Sequence, residues 1–307
     1  MTIDARILTA LREAGHGSVS GSELVRALGI SRAAIWARIR AFRELGYEIE
    51  ASPHEGYRLR HSPDVLLADD LLSRLGKTQV IGRDIRVFHE TTSTSDVVEK
   101  LARDGVKEGA VVFAESQTNG RGRLGRKWVS PSKKGLWFSI LLRPDMLPQK
   151  ATQITIAAAT ALARAIGELT ELTARIKWPN DILISGKKVA GSLTELSAEL
   201  DHVKYIVLGI GLNVNLTLSD FPADLRKVAT SLRIETGHTV HRAELATAVL
   251  RELDGDYARV CSGNFEAVAD EWERLCSTLG HNIGIRLGDR LLQGHAEALD
   301  SDGALLL

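Results

Sequence analysis

Apolar residues recur every three to four positions in some stretches of this chain and alternate with polar residues in others. Ile35, Ile39, Phe42 and Leu45 fall on one side of a predicted helix over 32–45, which Ser31 can cap and Gly46 stops. A shorter helix precedes it, opened near Ser20 or Ser22 and ended by Gly29. Next, Tyr47, Ile49 and Ala51 alternate with Glu48 and Glu50, Pro53-His54-Glu55-Gly56 makes a turn, and Tyr57 and Leu59 alternate with Arg58 and Arg60. That pattern predicts a hairpin. Pro63 then biases Ser62 away from helix and marks a hinge at 61–64. Short β-rich runs follow at 110–114, 136–142, 182–184 and 205–208. A long helix begins near Pro148 and passes through Ile154, Ala158, Ala161 and Ala165. Helices are also predicted over 242–260 and 265–279. The tail, 281–307, reads as short strands broken by Gly284, Gly288, Gly294 and Gly303, which suits a small β-barrel.

The charge distribution gives the first of these zones a chemistry. Lys+Arg and Asp+Glu tie at 39 in 307 residues, so nucleic-acid binding requires a local patch. Positions 24–43 supply one, with five arginines and no acidic residue. Arg32, Trp36, Arg40 and Arg43 gather on a flank about a quarter-turn from the apolar side. Two helices joined by a tight glycine turn, followed by a hairpin, form a winged helix-turn-helix whose arginines can reach phosphates and base edges. The length suits two or three domains. Two cysteines make no disulfide framework, and none of the nine histidines has metal-ligand spacing. With no apolar signal core and no apolar run near the ~18 residues of a membrane span, a soluble, cytoplasmic protein is expected.

The densest chemistry lies at Gly120-Arg121-Gly122-Arg123-Leu124-Gly125-Arg126-Lys127-Trp128. Its three glycines satisfy the dinucleotide fingerprint GxGxxG, but that motif needs a helix opening at the third glycine, and here Pro131, Ser132 and Gly135 lead into a strand-like run. A phosphate-cradling Walker loop also fails, because Arg126 stands where a Lys-Ser/Thr pair would begin. A glycine-rich loop with alternating arginines can instead wrap a polyanion, or bring together two anions that repel by ~4 kcal/mol at 4 Å and an effective dielectric of ~20. Further on, Lys177-Trp178-Pro179-Asn180-Asp181 ends one strand and starts another. Ser185-Gly186 makes a hairpin turn into Lys187-Lys188-Val189-Ala190-Gly191-Ser192-Leu193. Strict alternation sends Lys188, Ala190 and Ser192 to one face and Val189, Gly191 and Leu193 to the other. Finally, Gly209-Ile210-Gly211-Leu212-Asn213 leaves one strand face bare, with room for a flat ligand.

Taken together and in this order, the segments GRGRLGRKW, KWPND, GKKVAG and GIGLN behind a winged helix-turn-helix resemble the biotin–protein ligase family, in its bifunctional bacterial branch that also represses biotin-synthesis genes. The resemblance covers nearly the whole chain. It implies an α+β architecture: a winged helix-turn-helix over 1–62, a central mixed-sheet ligase domain with helices over 65–262, and a small SH3-like β-barrel with a leading helix over 263–307, expected to lack its last strands. It implies biotin and ATP with Mg2+ as substrates and no tightly bound prosthetic group. The implied partners are biotin carboxyl carrier protein, operator DNA and a second copy in a homodimer.

By position, Ser93, Thr94, Ser95 and Gln117 would meet the ureido end of biotin, and Arg121, Gly122 and Arg123 would form the loop over biotin and its adenylate. Lys188 would contact the biotin carboxylate and the α-phosphate, making Lys188, Arg123 and Arg121 the catalytic cations. Gly191, Leu193, Gly209 and Gly211 would line the slot. Arg123, Arg126, Lys177, Asn180, Asp181 and Asn213 would face ATP, with Asp181 toward the metal, and Arg32, Trp36, Arg40 and Arg43 would face DNA. Ser95 departs from the family's usual Asn. Two other readings stand beside this one: a DNA-binding biotin sensor without catalysis, and a lipoate ligase relative.

Overall fold

A computed structural model describes residues 1–288 and 290–307, and the chain divides into two compact units, Met1–Gly76 and Lys77–Leu307. The amino-terminal unit contains α1 (Ile3–Glu13), α2 (Gly21–Leu28), α3 (Arg32–Glu44), the antiparallel strands β1 (Glu48–Ser52) and β2 (Gly56–His61), and α4 (Ala68–Leu75). Its helix ends follow from single residues. Ser20 accepts from the Glu23 amide at 3.1 Å while Glu23 accepts from the Ser20 amide at 2.8 Å. This reciprocal box holds the Glu23 carboxyl below its ordinary pKa. Gly29 closes α2 in the left-handed region (φ 71°), and Ser31 caps α3 through the Ala34 amide at 3.2 Å. Ile7, Leu8, Leu11, Leu24, Ile35, Ile39 and Phe42 form the core.

The unit continues past the Pro63 hinge. Asp70 on α4, 1% exposed, accepts from Tyr47 Oη at 2.8 Å, from Arg74 Nε at 2.7 Å and from Arg12 on α1. A buried carboxylate requires such partners, and these tie α4 to the helix-turn-helix.

The second unit is built on a seven-stranded mixed sheet of order β3-β4-β5-β9-β8-β7-β6. Its strands are β3 (Asp84–Thr91), β4 (Ala110–Gln117), β5 (Gly135–Leu142), β6 (Arg175–Lys177), β7 (Asp181–Ile184), β8 (Lys187–Ala198) and β9 (Val203–Asn213). Only β3 and β4 run parallel, so they need a crossover, which α5 (Thr94–Arg103) provides. Val98, Leu101 and Ala102 of α5 pack on Val112, Leu141 and Val207, covering part of one sheet face and ending where Ser93 caps the helix.

The opposite face carries α6 (Ala151–Thr170), where Thr155 bonds Thr194 of β8 at 2.8 Å. Arg164 of α6 joins α8 (Arg242–Cys261) and α9 (Glu266–Leu275) through Glu252, Asp256 and Glu271. The short helix α7 (Leu232–Thr236) precedes α8. The fully buried Arg242 at the head of α8 pairs with Glu115 of β4 at 2.5 Å.

Two expectations are corrected here. The helix expected over 265–279 stops at Leu275, because Cys276 turns extended and forms a parallel bridge with Ile176. Thr278 beyond it accepts from the Trp178 amide at 2.9 Å, so pairing with the sheet overrides helical periodicity. In the tail, Gly284 and Gly294 lie inside strands β10 (Asn282–Leu287) and β11 (Arg290–His295) rather than between strands. Among the described residues the tail is one two-stranded antiparallel ladder with a bridge between Leu299 and Leu305. No described helix is long and apolar enough to cross a membrane.

Candidate functional site

The site forms on the part of the α5-bearing sheet face that the helix leaves uncovered, and register determines which side chains share it. Ser139 of β5 pairs with Gly209 of β9, which pairs with Leu193 of β8. The neighbouring row on the same face runs Trp137, Gly211, Gly191, Asp181. These rows are two residues apart, on the order of 7 Å.

The first row is neutral and rich in hydrogen-bonding groups. Ser93, Thr94 and Ser95, at the head of α5, are buried. The Thr94 amide donates to Gln117 Oε1 at 2.9 Å, and the hydroxyls of Thr94 and Ser95 lie 2.8 and 3.1 Å from the fully buried Ser139 Oγ. Gln117 in turn donates to Ser130 Oγ at 3.0 Å. A Cβ on Gly209 would stand 3.0 Å from Ser95 Oγ, so the glycine lets the hydroxyls approach the strand closely. Ser95, shorter than an asparagine, still joins this network through Ser139. Ser139 and Ser130 were not expected from the sequence. The signal for Ser139 was one hydroxyl inside an otherwise apolar run.

The second row carries an ion pair. The expected alternation in β8 is overturned. Leu183 pairs with Lys188 and Ile182 with Ala190, so Val189 is an extra residue, and this bulge moves Lys188 to the face of Gly191 and Leu193. Lys188 Nζ therefore lies 2.6 Å from Asp181 Oδ1, 5.1 Å from the centre of the Trp128 ring, and 3.2 Å from where a Gly191 Cβ would be. Trp128 lies across Gly211, whose Cβ would come within 2.5 Å of the indole. The glycines admit close neighbours instead of leaving the face bare as the sequence suggests: Trp128 lies over Gly211, Lys188 against Gly191 and Ser95 against Gly209.

The glycine–arginine loop crosses this face as a hairpin. Arg121 bridges to Lys127, and the Gly122 amide donates to Arg126 O at 2.7 Å. Leu124 and Gly125 turn its tip in the left-handed region, and Leu124 is 87% exposed. Gly120 matters through proximity instead, its Cβ position lying 2.5 Å from Trp128 O. Arg123 donates to Asn180 Oδ1 at 3.3 Å, and Asn180 is held in place by donating to Ser192 O. Among the described residues no carboxylate neutralises Arg123 or Arg126. Asn213 is buried and donates to Thr230 O at 3.0 Å. Arg126, on the loop's return arm, and Lys177, on edge strand β6, make no side-chain hydrogen bond or ion pair with the other site residues among the described contacts. A cleft of about 410 Å³ opens between residues 119–127 and Leu193 and Glu195. No described cluster of three or more His, Cys, Asp or Glu could hold a metal by itself.

In the amino-terminal unit, Arg32, Trp36, Arg40 and Arg43 are all exposed on α3. Arg40 lies over Trp36 at 5.4 Å, and Arg32 donates to Ser22 at 2.7 Å, joining the two helices of the motif. Arg43 donates to Ile49 O at 2.9 Å, which anchors the wing to α3.

Comparison with known proteins adds an independent line. The pattern of the biotin/lipoate A/B protein ligase family matches residues 87–213, and that of a helix-turn-helix domain matches residues 5–58. The bifunctional ligase/repressor BirA of Bacillus subtilis is 38% identical over 307 residues, covering 100% of this chain and 94% of that protein. The chain belongs to the bifunctional ligase/repressor branch of the biotin–protein ligase family. A second member, the ligase/repressor BirA of Escherichia coli, is 30% identical over 289 residues, covering 94% of this chain and 87% of its own length. Among solved structures, the biotin protein ligase of Aquifex aeolicus in complex with biotin and ATP superposes with a TM-score of 0.63 and 31% identity, over 73% of this chain and 91% of that one. The family's α+β plan is therefore present, with a winged helix-turn-helix ahead of a mixed-sheet ligase unit and small antiparallel strands at the end.

Proposed function

We propose that this chain activates biotin with ATP, transfers it to a lysine of biotin carboxyl carrier protein, and represses biotin-synthesis genes when its adenylate is bound. The observation that supports this most is the placement of a neutral hydroxyl–amide cluster at Gly209 with a cation, Lys188, one row away on the same face. That spacing suits a ligand with an uncharged hydrogen-bonding head and an acid tail. Ser93, Thr94, Ser95 and Gln117 would hold the ureido ring, and Gly191, Leu193, Gly209 and Gly211 its apolar chain. Lys188 and Arg123 lower the repulsion between carboxylate and phosphate. Arg126, Lys177, Asn180, Asp181 and Asn213 serve the nucleotide side.

In the first step a biotin carboxylate oxygen bonds the α-phosphorus while the bond to the departing pyrophosphate breaks. In the second, the acceptor's lysine amine bonds the anhydride carbonyl carbon, AMP leaves and the amine loses its proton. No protein nucleophile is required, so orientation and fixed positive charge supply the rate. Asp181 fits a Mg2+ ion that binds through one carboxylate plus substrate phosphates, where it would neutralise phosphate charge.

Incubation with biotin, MgATP and a biotin carboxyl carrier domain should add one biotin mass to the acceptor. An unchanged acceptor alongside adenylate-dependent DNA binding would favour the sensor, and transfer of lipoate instead would favour the lipoate reading.

For repression, DNA binding should fall steeply with salt. Arg32→Ala and Arg40→Ala should each weaken operator binding about tenfold, on the order of 1–3 kcal/mol for a lost base or phosphate contact, with acceptor labelling retained. Loss of labelling would mean that the two units are assigned the wrong tasks. The adenylate should also favour the homodimer, since coupling requires different affinities in the two association states. Sedimentation profiles identical with and without it would remove that part.

A further inference from the structure

Arg121 differs from the other loop cations because its charge is already matched twice. Its Nη1 lies 2.6 Å from Asp96 Oδ1, on the first turn of α5, and its Nη2 lies 3.0 Å from Glu195 Oε2, on β8. These carboxylates belong to different elements, and β9 and β5 lie between β8 and the strand β4 that follows α5. All three side chains are only part-buried, at 35%, 40% and 41% exposure, so each pair alone contributes little. One guanidinium held by two fixed anions is a different device. Its planar fork fixes direction as well as distance, and releasing the loop means breaking both pairs.

We propose that Asp96 and Glu195 are positioning residues that fasten the glycine–arginine strap across the cleft through Arg121, and that this fastening retains the reactive adenylate until the acceptor lysine arrives. The second half rests on the ligase reading above; the first does not. Arg121 then acts as the buckle of the strap, and Arg123 and Arg126 are its cations facing the anions. A mixed anhydride released to water is lost to hydrolysis or to any nearby amine, so strap opening sets the leak.

The test uses the full chain, wild type and Asp96→Asn/Glu195→Gln, which keeps size and hydrogen-bonding capacity but removes both negative charges. In the unliganded protein, trypsin should cut at Arg123, Arg126 and Lys127 about tenfold faster in the double variant, with cutting elsewhere unchanged. Raising salt should speed these cuts in the wild type and have little effect on the variant. With biotin and MgATP, the ratio of adenylate released to adenylate formed should rise about tenfold, read as biotin on a bystander protein lacking the acceptor site. Loop cutting that is insensitive to both the substitutions and salt would overturn the fastening. Faster cutting with an unchanged release ratio would overturn its role in retention. If the double variant does not fold, the wild-type salt dependence of the loop cuts decides alone. A wild type that forms no adenylate would refute the ligase reading, and the trypsin result would still decide the fastening.

Discussion

Lys188→Ala is expected to slow adenylate formation by about 10³-fold, read as biotin-dependent exchange of labelled pyrophosphate into ATP. The size follows from what the side chain does in the site. Its ammonium is held over the Trp128 ring and against Asp181, on the same sheet face as Gly191 and Gly211. Removing a fixed electrostatic donor from a partly enclosed site costs about 10²–10³ in rate. Lys188→Arg keeps the charge but not the compact head, so it should recover only a small part of the rate. Exchange within about threefold of wild type would remove Lys188 from the reaction, since no lost donor of ordinary strength is that small.

A second large effect lies in the scaffold. Arg242→Ala should destabilise the ligase unit by about 3–5 kcal/mol, because it removes the fully buried ion-pair partner of Glu115. Arg242 is fully buried, sits at the head of α8, and also donates to Gly135 O at 3.4 Å. A cation at a helix amino terminus opposes the helix dipole, so its placement there depends on the carboxylate it meets. For a unit of this size the melting temperature should drop on the order of 10 °C. Glu115→Gln/Arg242→Met, which removes both charges while keeping most of the volume, should lose less than the single change. A melting temperature within about 2 °C of wild type for Arg242→Ala would mean the ion pair contributes almost nothing.

Local chemistry was legible wherever one residue decides one feature. Ser20, Gly29, Ser31 and Gly46 gave the helix ends of the amino-terminal unit, and the alternation around Tyr47 and Tyr57 gave the wing. Ser185 and Gly186, both with positive φ, gave the hairpin before β8. The glycine–arginine loop stood out by composition, although its glycines work differently: Gly125 turns, Gly120 admits a close neighbour, and Gly122 lies in ordinary contact with Arg126.

Features set by pairing between distant segments were not legible. The side on which Lys188 emerges depends on its register with β7, and a single extra residue reverses it. Asp96 and Glu195 become partners of Arg121 only after α5 and β8 have taken their places on the sheet. The end of α9 depends on a bridge to Ile176, a hundred positions earlier in the chain. Ser139 could have been noticed as a hydroxyl in an apolar strand, but its role appears only when Gly209 is found opposite.

The bulge at Val189 has a consequence for how such a site can change over generations. Because the face on which the ammonium appears depends on parity, the number of residues between the Ser185-Gly186 turn and Gly191 carries as much information as the lysine itself. Exchanging one amino acid for another there adjusts the fit. Adding or removing one would move the charge to the side that carries α6, so this short span should tolerate drift in spelling far more readily than drift in length.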